Sequence, residues 1–126
     1  MKAISLKQPW GGLIAGGFKT IETRKWRTHY RGDLLICSSQ KPVPINQMGQ
    51  EFYLEPLCHY VGSTICLVNL VDCVPMTEEH EEAAMCRVYD GAWAWMLEDI
   101  RPVKQIPVKG QLSIFDVPFT YEDLKA

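Results

Sequence analysis

The eight residues Gly17–Arg24 constrain this chain more than any other stretch. A turn glycine opens the run, and the residues after it alternate as a β-strand does. Residues two apart on a strand share a face. Glu22 and Arg24 therefore project together, with Thr20 beside them, while Ile21 and Thr23 face the opposite way, toward a core. Lys19 is expected in the turn ahead of the strand, free to swing toward the polar face. A carboxylate and two cations at one place suit a polar, hydrogen-bonding, anionic ligand. Read without a ligand, the same Glu22 and Arg24 form a partly buried ion pair that orients a strand.

The remaining segments read as short strands with short helices between them. Ala3–Lys7, Lys19–Arg24, Gly32–Ser38, Gly62–Cys73, Gly91–Pro102, Val103–Val108 and Leu112–Val117 are strand candidates by alternation or by apolar content. On Gly91–Pro102, Trp93 and Trp95 share one face, and Ala92, Ala94 and Met96 the other. Gln8 caps a first helix with Pro9 at its opening position, where a missing N–H is harmless. Trp10, Leu13 and Ile14 form its apolar side, and Gly16-Gly17 stops it. The glycines of this region follow no phosphate-loop spacing. Asn46–Tyr60 is expected to hold a short helix limited by Pro56. Thr77 opens another, with Glu78, Glu79, Glu81 and Glu82 at its positive end. Lys25–Arg31 and Lys41–Ile45 are irregular, and Tyr121–Ala126 reads as a loosely held tail. The pattern is α+β: one domain over residues 1–120, a small barrel of about five to seven mostly antiparallel strands with peripheral short helices.

Composition narrows the function classes. The chain has 126 residues, 47% hydrophobic and 22% charged, which is ordinary for a globular domain. No apolar run approaches the ~20 residues of a membrane helix. Lys2, Lys7, Pro9 and Trp10 interrupt any leader-like apolar stretch. A cytoplasmic protein without a membrane partner is expected. The five cysteines include no C-x-x-C pair, and Cys58-His59 is adjacent, so neither a metal nor another cofactor is expected. The net charge of −2 hides a bias: residues 1–41 are rich in Lys and Arg and contain only Glu22 and Asp33 as acids. Those cations either solvate a surface or form a face for phosphates.

Gly17, Lys19, Glu22 and Arg24 follow the pattern G-x-K-x-x-E-x-R. Ahead of them, Ile4–Trp10 reads as a strand running into a Gln-Pro-Trp corner. Trp26 comes after, then Tyr30-Arg31-Gly32 and a strand ending Ile36–Ser39. Late in the chain stands Pro107-Val108-Lys109-Gly110. Together, from about Ile4 to about Pro118, these segments resemble ASCH domains, the activating-signal-cointegrator homology family. The resemblance implies a PUA-like β-barrel. It also implies that the Gln8–Trp10 corner, the Lys19–Arg24 strand with Trp26 and Arg27, and Lys109-Gly110 converge on a cleft beside the first helix.

Three functions are expected from these residues and this resemblance. The first is binding of RNA or another single-stranded nucleic acid. Lys19, Arg24, Arg27, Arg31 and Lys109 would contact phosphates, and Trp26 would stack on an unpaired base. Glu22 and Gln8 would read a base edge, and Gly110 would admit close backbone approach. Trp10 reads either as a core aromatic capping the barrel or as a second platform. The second is a small hydrolase in the same cleft, either an amidohydrolase on acylated cytidine-type nucleosides or a ribonuclease, with Lys19 and Glu22 as catalytic residues. The amidohydrolase relatives use a lysine, a hydroxyl and a distant glutamate. Here Glu22 occupies the hydroxyl position, Thr20 and Thr23 lie nearby, and Glu78–Glu82 would have to supply the distant carboxylate. The third is a protein-interaction module linked to transcription coregulation.

Overall fold

The computed structural model describes residues 1–44 and 55–126. Its strands are β1 Lys2–Leu6, β2 Ile21–Arg24, β3 Gly32–Ser38, β4 Thr64–Pro75, β5 Trp93–Pro102 and β6 Ile114–Asp116. Its helices are α1 Trp10–Ala15, α2 Glu81–Ala84 and α3 Tyr121–Leu124, with 3-10 turns at Pro56–His59 and Glu78–His80. One sheet holds all six strands in the order β2-β5-β4-β3-β1-β6. β1 and β3 run parallel and every other neighbouring pair is antiparallel. Register shifts interrupt the β3–β4 pairing at Ile36/Cys37 and the β4–β5 pairing at Leu67/Asn69 and Leu70/Asp72. Such bulges bend a strand and raise its twist, and the sheet curls into a half-barrel with few short helices. No helix among the described residues is long and apolar enough to cross a membrane.

The sheet is covered on both faces. Ile4, Leu6, Leu34, Ile36, Val68 and Trp95 fill the inner face, against which α1 packs through Ile14. Ala3, Leu35, Cys37 and Leu67 face outward under Phe115, Val117 and Leu124. A strand buried on both sides reads as a continuous apolar run, and Leu34–Cys37 is one. Burial pushes the thiols of Cys37 and Cys66 up to about 12, so both remain neutral core groups. A third cluster joins Ile21 and Ala94 to Met76 and Ala84 beneath the α2 region. Trp95 and Ala94 thus enter different cores, as the two-residue alternation requires.

Some elements differ from the sequence reading. Val103–Val108 is not a strand; its one pairing is a bridge between Pro107 and Ser63. Leu112–Val117 shrinks to Ile114–Asp116. Thr77 precedes a 3-10 turn that continues into α2, which ends at Met85 with a left-handed φ of 57°. Of the helix expected over Asn46–Tyr60, Pro56–His59 is a 3-10 turn, and positions 45–54 lie outside the described residues.

The expected loose tail is α3. Thr120 Oγ1 accepts from Asp123 N at 3.1 Å, and Asp123 Oδ2 accepts from Thr120 N at 2.8 Å, a capping box. Leu124 is 3% exposed in the outer core, and full burial of a leucine stabilises by about 1.5–3 kcal/mol. Tyr121 donates its hydroxyl to Asp33 Oδ2, and Arg101 Nη2 donates to Asp33 Oδ1 at 2.6 Å. The Arg101 guanidinium holds the Asp33 carboxyl below the usual carboxylate range, with help from Tyr121. The hydrogen bond to Asp33 in turn raises the Tyr121 phenol.

Candidate functional site

β2 lies at one edge of the curled sheet, with its only sheet partner in β5. Ile21 anchors its outer side, so Glu22 and Arg24 fall on the inner side. Gly17 closes the turn from α1 at φ 81°, a conformation costly for other residues. Lys19 follows in that turn, but it is not free to swing. It is 3% exposed and donates Nζ to the Ala84 carbonyl oxygen, stands 3.7 Å from Glu22 Oε1 and lies 5.3 Å from the Trp10 ring centroid. Glu22, 8% exposed, accepts from its neighbour's Thr23 N at 2.9 Å and from Arg24 Nη2 at 3.3 Å. The three side chains form one network, buried at Lys19 and Glu22 and partly exposed at Arg24.

Arg24 also crosses the mouth of the barrel. β6 pairs with β1 only over Lys2–Ile4, which leaves the Ser5 backbone open on that side. Arg24 Nη2 donates to the Ser5 carbonyl at 3.3 Å. At the same junction Arg24 Nε and Ser5 Oγ are buried and have no hydrogen-bond partner. An unsatisfied buried donor costs about 1–3 kcal/mol, so two at one junction need an explanation. Gly110 packs against Ser5 so closely that a Cβ there would stand 2.8 Å from the serine Cβ. Only glycine lets the Lys109–Leu112 segment lie down on β1.

Around this junction opens a cleft of about 790 Å³. Lys7, Lys19, Arg24 and Lys109 line it, with Glu22 as the only carboxylate among its described residues. Trp10 lines it with one side while packing its other parts on the inner core. The strand trio and the late lysine-glycine segment therefore meet, as the resemblance implied.

Other expected residues stand elsewhere. Gln8 is fully buried: its amide nitrogen donates to the Leu57 and Tyr60 carbonyls at 2.6 Å each, and its oxygen accepts from Gly12 N at 3.0 Å. It ties the start of α1 to the Pro56–His59 turn and has no group left to read a base. Trp26 points into the barrel, edge-on to Trp95 with centroids 4.7 Å apart and planes at 86°, and its carbonyl accepts from the Trp95 indole. Arg27 lies over the Trp93 ring at 5.6 Å. Arg31 is held by the Thr28 and Tyr30 carbonyls and stands 3.6 Å from Asp72. None of these four lines the cleft. Nor does any residue of Glu78–Glu82, and Glu81 accepts from Val88 N at 2.6 Å. Among the described residues, therefore, no distant carboxylate of the amidohydrolase pattern lines the cleft.

Sequence reading missed Ser5, Cys86, Tyr89, Gln111 and Leu112, which also line it. Ser5 did leave a signal, as the one polar residue within Ala3–Leu6. The others sit on loops whose meeting point no local pattern announces.

The ASCH domain family model matches residues 4–107. The chain belongs to the ASCH domain family. It is 25% identical over 124 residues to Activating signal cointegrator 1 of Mus musculus and to the protein of the same name of Homo sapiens. Those matches cover 89% of this chain but 21% of each relative, so the chain spans about a fifth of the curated relatives' length. Among solved structures, the ASCH protein from Zymomonas mobilis superposes with a TM-score of 0.64 at 16% identity, covering 97% of this chain and 89% of that one. A point mutant of that protein gives 0.61 at 16% identity, covering 97% and 91%. At these identities the likeness carries the fold: a small α+β PUA-like barrel.

Proposed function

We propose that this ASCH domain binds an unpaired stretch of nucleic acid in the cleft, with RNA preferred. One observation carries the reading. Among the described residues, four cations line the cleft beside a single carboxylate and an indole, in a chain whose net charge is −2. A cleft of 790 Å³ has the size of a small-ligand site. It suits one or two splayed nucleotides better than a duplex.

Roles divide by accessibility. Lys7 and Lys109 are exposed and Arg24 is partly so; these three meet phosphates. Trp10 takes over the stacking role first assigned to Trp26, because its open side is the one in the cleft. Lys19 and Glu22 are too buried and too well paired to be spent on ligand, and they hold Arg24 in place. Gln40 and Gln111 offer amides to 2′-hydroxyls and base edges.

Fluorescence anisotropy with single-stranded RNA, single-stranded DNA and duplex, each over a salt series, tests the reading. With three phosphates engaged, a log–log salt slope of about −2 is expected for single strands. That slope corresponds to a loss on the order of 20-fold between 50 and 200 mM salt. A flat response, or equal binding of duplex, overturns the proposal. Release of acid from an acylated cytidine, or strand cleavage, abolished by Lys19→Ala in a folded variant, would replace it with the hydrolase reading.

A further inference from the structure

We propose that the Ser5–Arg24 junction is a docking point for a terminal phosphate, the phosphomonoester that ends a strand or a free nucleotide. The inference rests on the proposed ligand of the cleft and names the group that the cleft takes at this point.

Ser5 Oγ and Arg24 Nε are the two buried side-chain polar atoms without a hydrogen-bond partner among the described residues, and both belong to residues lining the one cleft. They lie at a single junction, because Arg24 Nη2 already holds the Ser5 carbonyl. Nη2 is spent on that carbonyl and on Glu22, so the guanidinium keeps its Nε–H for something absent from the protein. Both unpartnered groups can donate, and one carries charge. The complementary ligand is an oxyanion. Lys109 and Lys7 line the same cleft and add positive charge.

Shape selects among oxyanions. The donors come from different directions: Ser5 from β1, Arg24 from β2, and Lys109 from the segment that Gly110 lays on Ser5. A planar carboxylate matches the guanidinium edge alone, whereas a tetrahedral phosphate presents oxygens to all three. Burial selects the terminal group. An internal diester carries a sugar on both sides and cannot be pushed below the cleft surface, but a monoester projects from its chain and can.

The test uses a ten-nucleotide single-stranded RNA with an internal fluorophore, prepared with a 5′-phosphate, with a 3′-phosphate, or with hydroxyls at both ends. A nucleoside monophosphate and its parent nucleoside are titrated alongside by calorimetry. One phosphate-ended form is expected to bind about ten-fold more tightly than the hydroxyl-ended RNA, the effect of charge-assisted hydrogen bonds. Ser5→Ala should reduce that preference below about threefold while hydroxyl-ended binding holds; Arg24→Lys should reduce the preference as far and weaken hydroxyl-ended binding as well, and the melting temperature checks folding. Ser5→Ala removes only an unpartnered hydroxyl, so it remains informative if Arg24→Lys unfolds. Salt-dependent RNA binding without preference for a phosphate end overturns this inference and leaves the cleft reading standing. If no oligonucleotide binds but the monophosphate outbinds its nucleoside in a Ser5-dependent way, the docking point stands, its ligand is a free nucleotide and the nucleic-acid reading falls. If the monophosphate gains nothing either, both fall.

Discussion

The sheet carries an ion cluster on each face. On the inner side of β2, Lys19, Glu22 and Arg24 form a trio built on a buried Lys19–Glu22 pair; on the outer face of β3, Asp33 gathers Arg101 and Tyr121. Both join distant segments, yet their hydrogen-bond accounts differ. Each Asp33 oxygen receives a donor, and the product is architecture: α3 is pinned to the sheet. The inner trio has more positive charge than its one carboxylate balances, and Arg24 Nε stays unpartnered beside an equally unpartnered Ser5 hydroxyl. A cluster whose donors and acceptors match holds a fold together. A cluster with surplus donors at the wall of a 790 Å³ cleft has donors left over for the ligand proposed above.

The largest test of this contrast is Glu22→Ala. It leaves the buried Lys19 ammonium and the partly exposed Arg24 without their carboxylate, and a loss of about 3–5 kcal/mol is expected in denaturant titration. A variant as stable as wild type would show that the inner trio is not a buried network, and the contrast would collapse. Next comes Leu124→Ala, which empties the site that the outer cluster guards; about 2–4 kcal/mol should be lost, with nucleic-acid affinity unchanged in the folded variant.

Asp33→Asn should cost less, about 1 kcal/mol, because the cluster is partly exposed. Its pH dependence has a definite sign. The folded-state pKa lies below the unfolded value, so the carboxylate stabilises above the ordinary carboxylate range and the benefit fades as pH falls through it. The stability gap between wild type and Asp33→Asn should therefore be steady near neutrality and narrow below about pH 4. The smallest structural effect belongs to Lys109→Ala. Its stability should stay within about 0.5 kcal/mol of wild type, while the salt slope for single-stranded RNA loses about 0.7. An unchanged slope would remove Lys109 from the phosphate-contacting set.

Much of the trio was legible because strand alternation is local. Ile21 had to leave Glu22 and Arg24 on the other face, just as Ala94 had to part from Trp95. Burial was less legible. Lys19 looked free because a lysine in a turn usually is, but the Ala84 carbonyl and the Trp10 ring close over it from other segments. Gln8 and Trp26 show the same limit. A glutamine beside a helix start and a tryptophan among arginines look available to a ligand, until one is found bridging α1 to residues 57 and 60 and the other seated against Trp95. Val103–Val108 has strand-like composition, but its pairing is confined to one bridge, Pro107 opposite Ser63, with Val108 N donating to the Gly62 carbonyl at 2.9 Å.

The amino-acid order by itself determined which side chains share a face, where the chain turns, and that one short strand would carry opposite charges together. Those features arise from backbone sterics within a few residues. Which of the many cations meet in the cleft was decided only when the sheet curled and Gly110 settled on Ser5. Bringing together segments from opposite ends of the chain depends on the summed packing of three cores, and no local spacing encodes that sum.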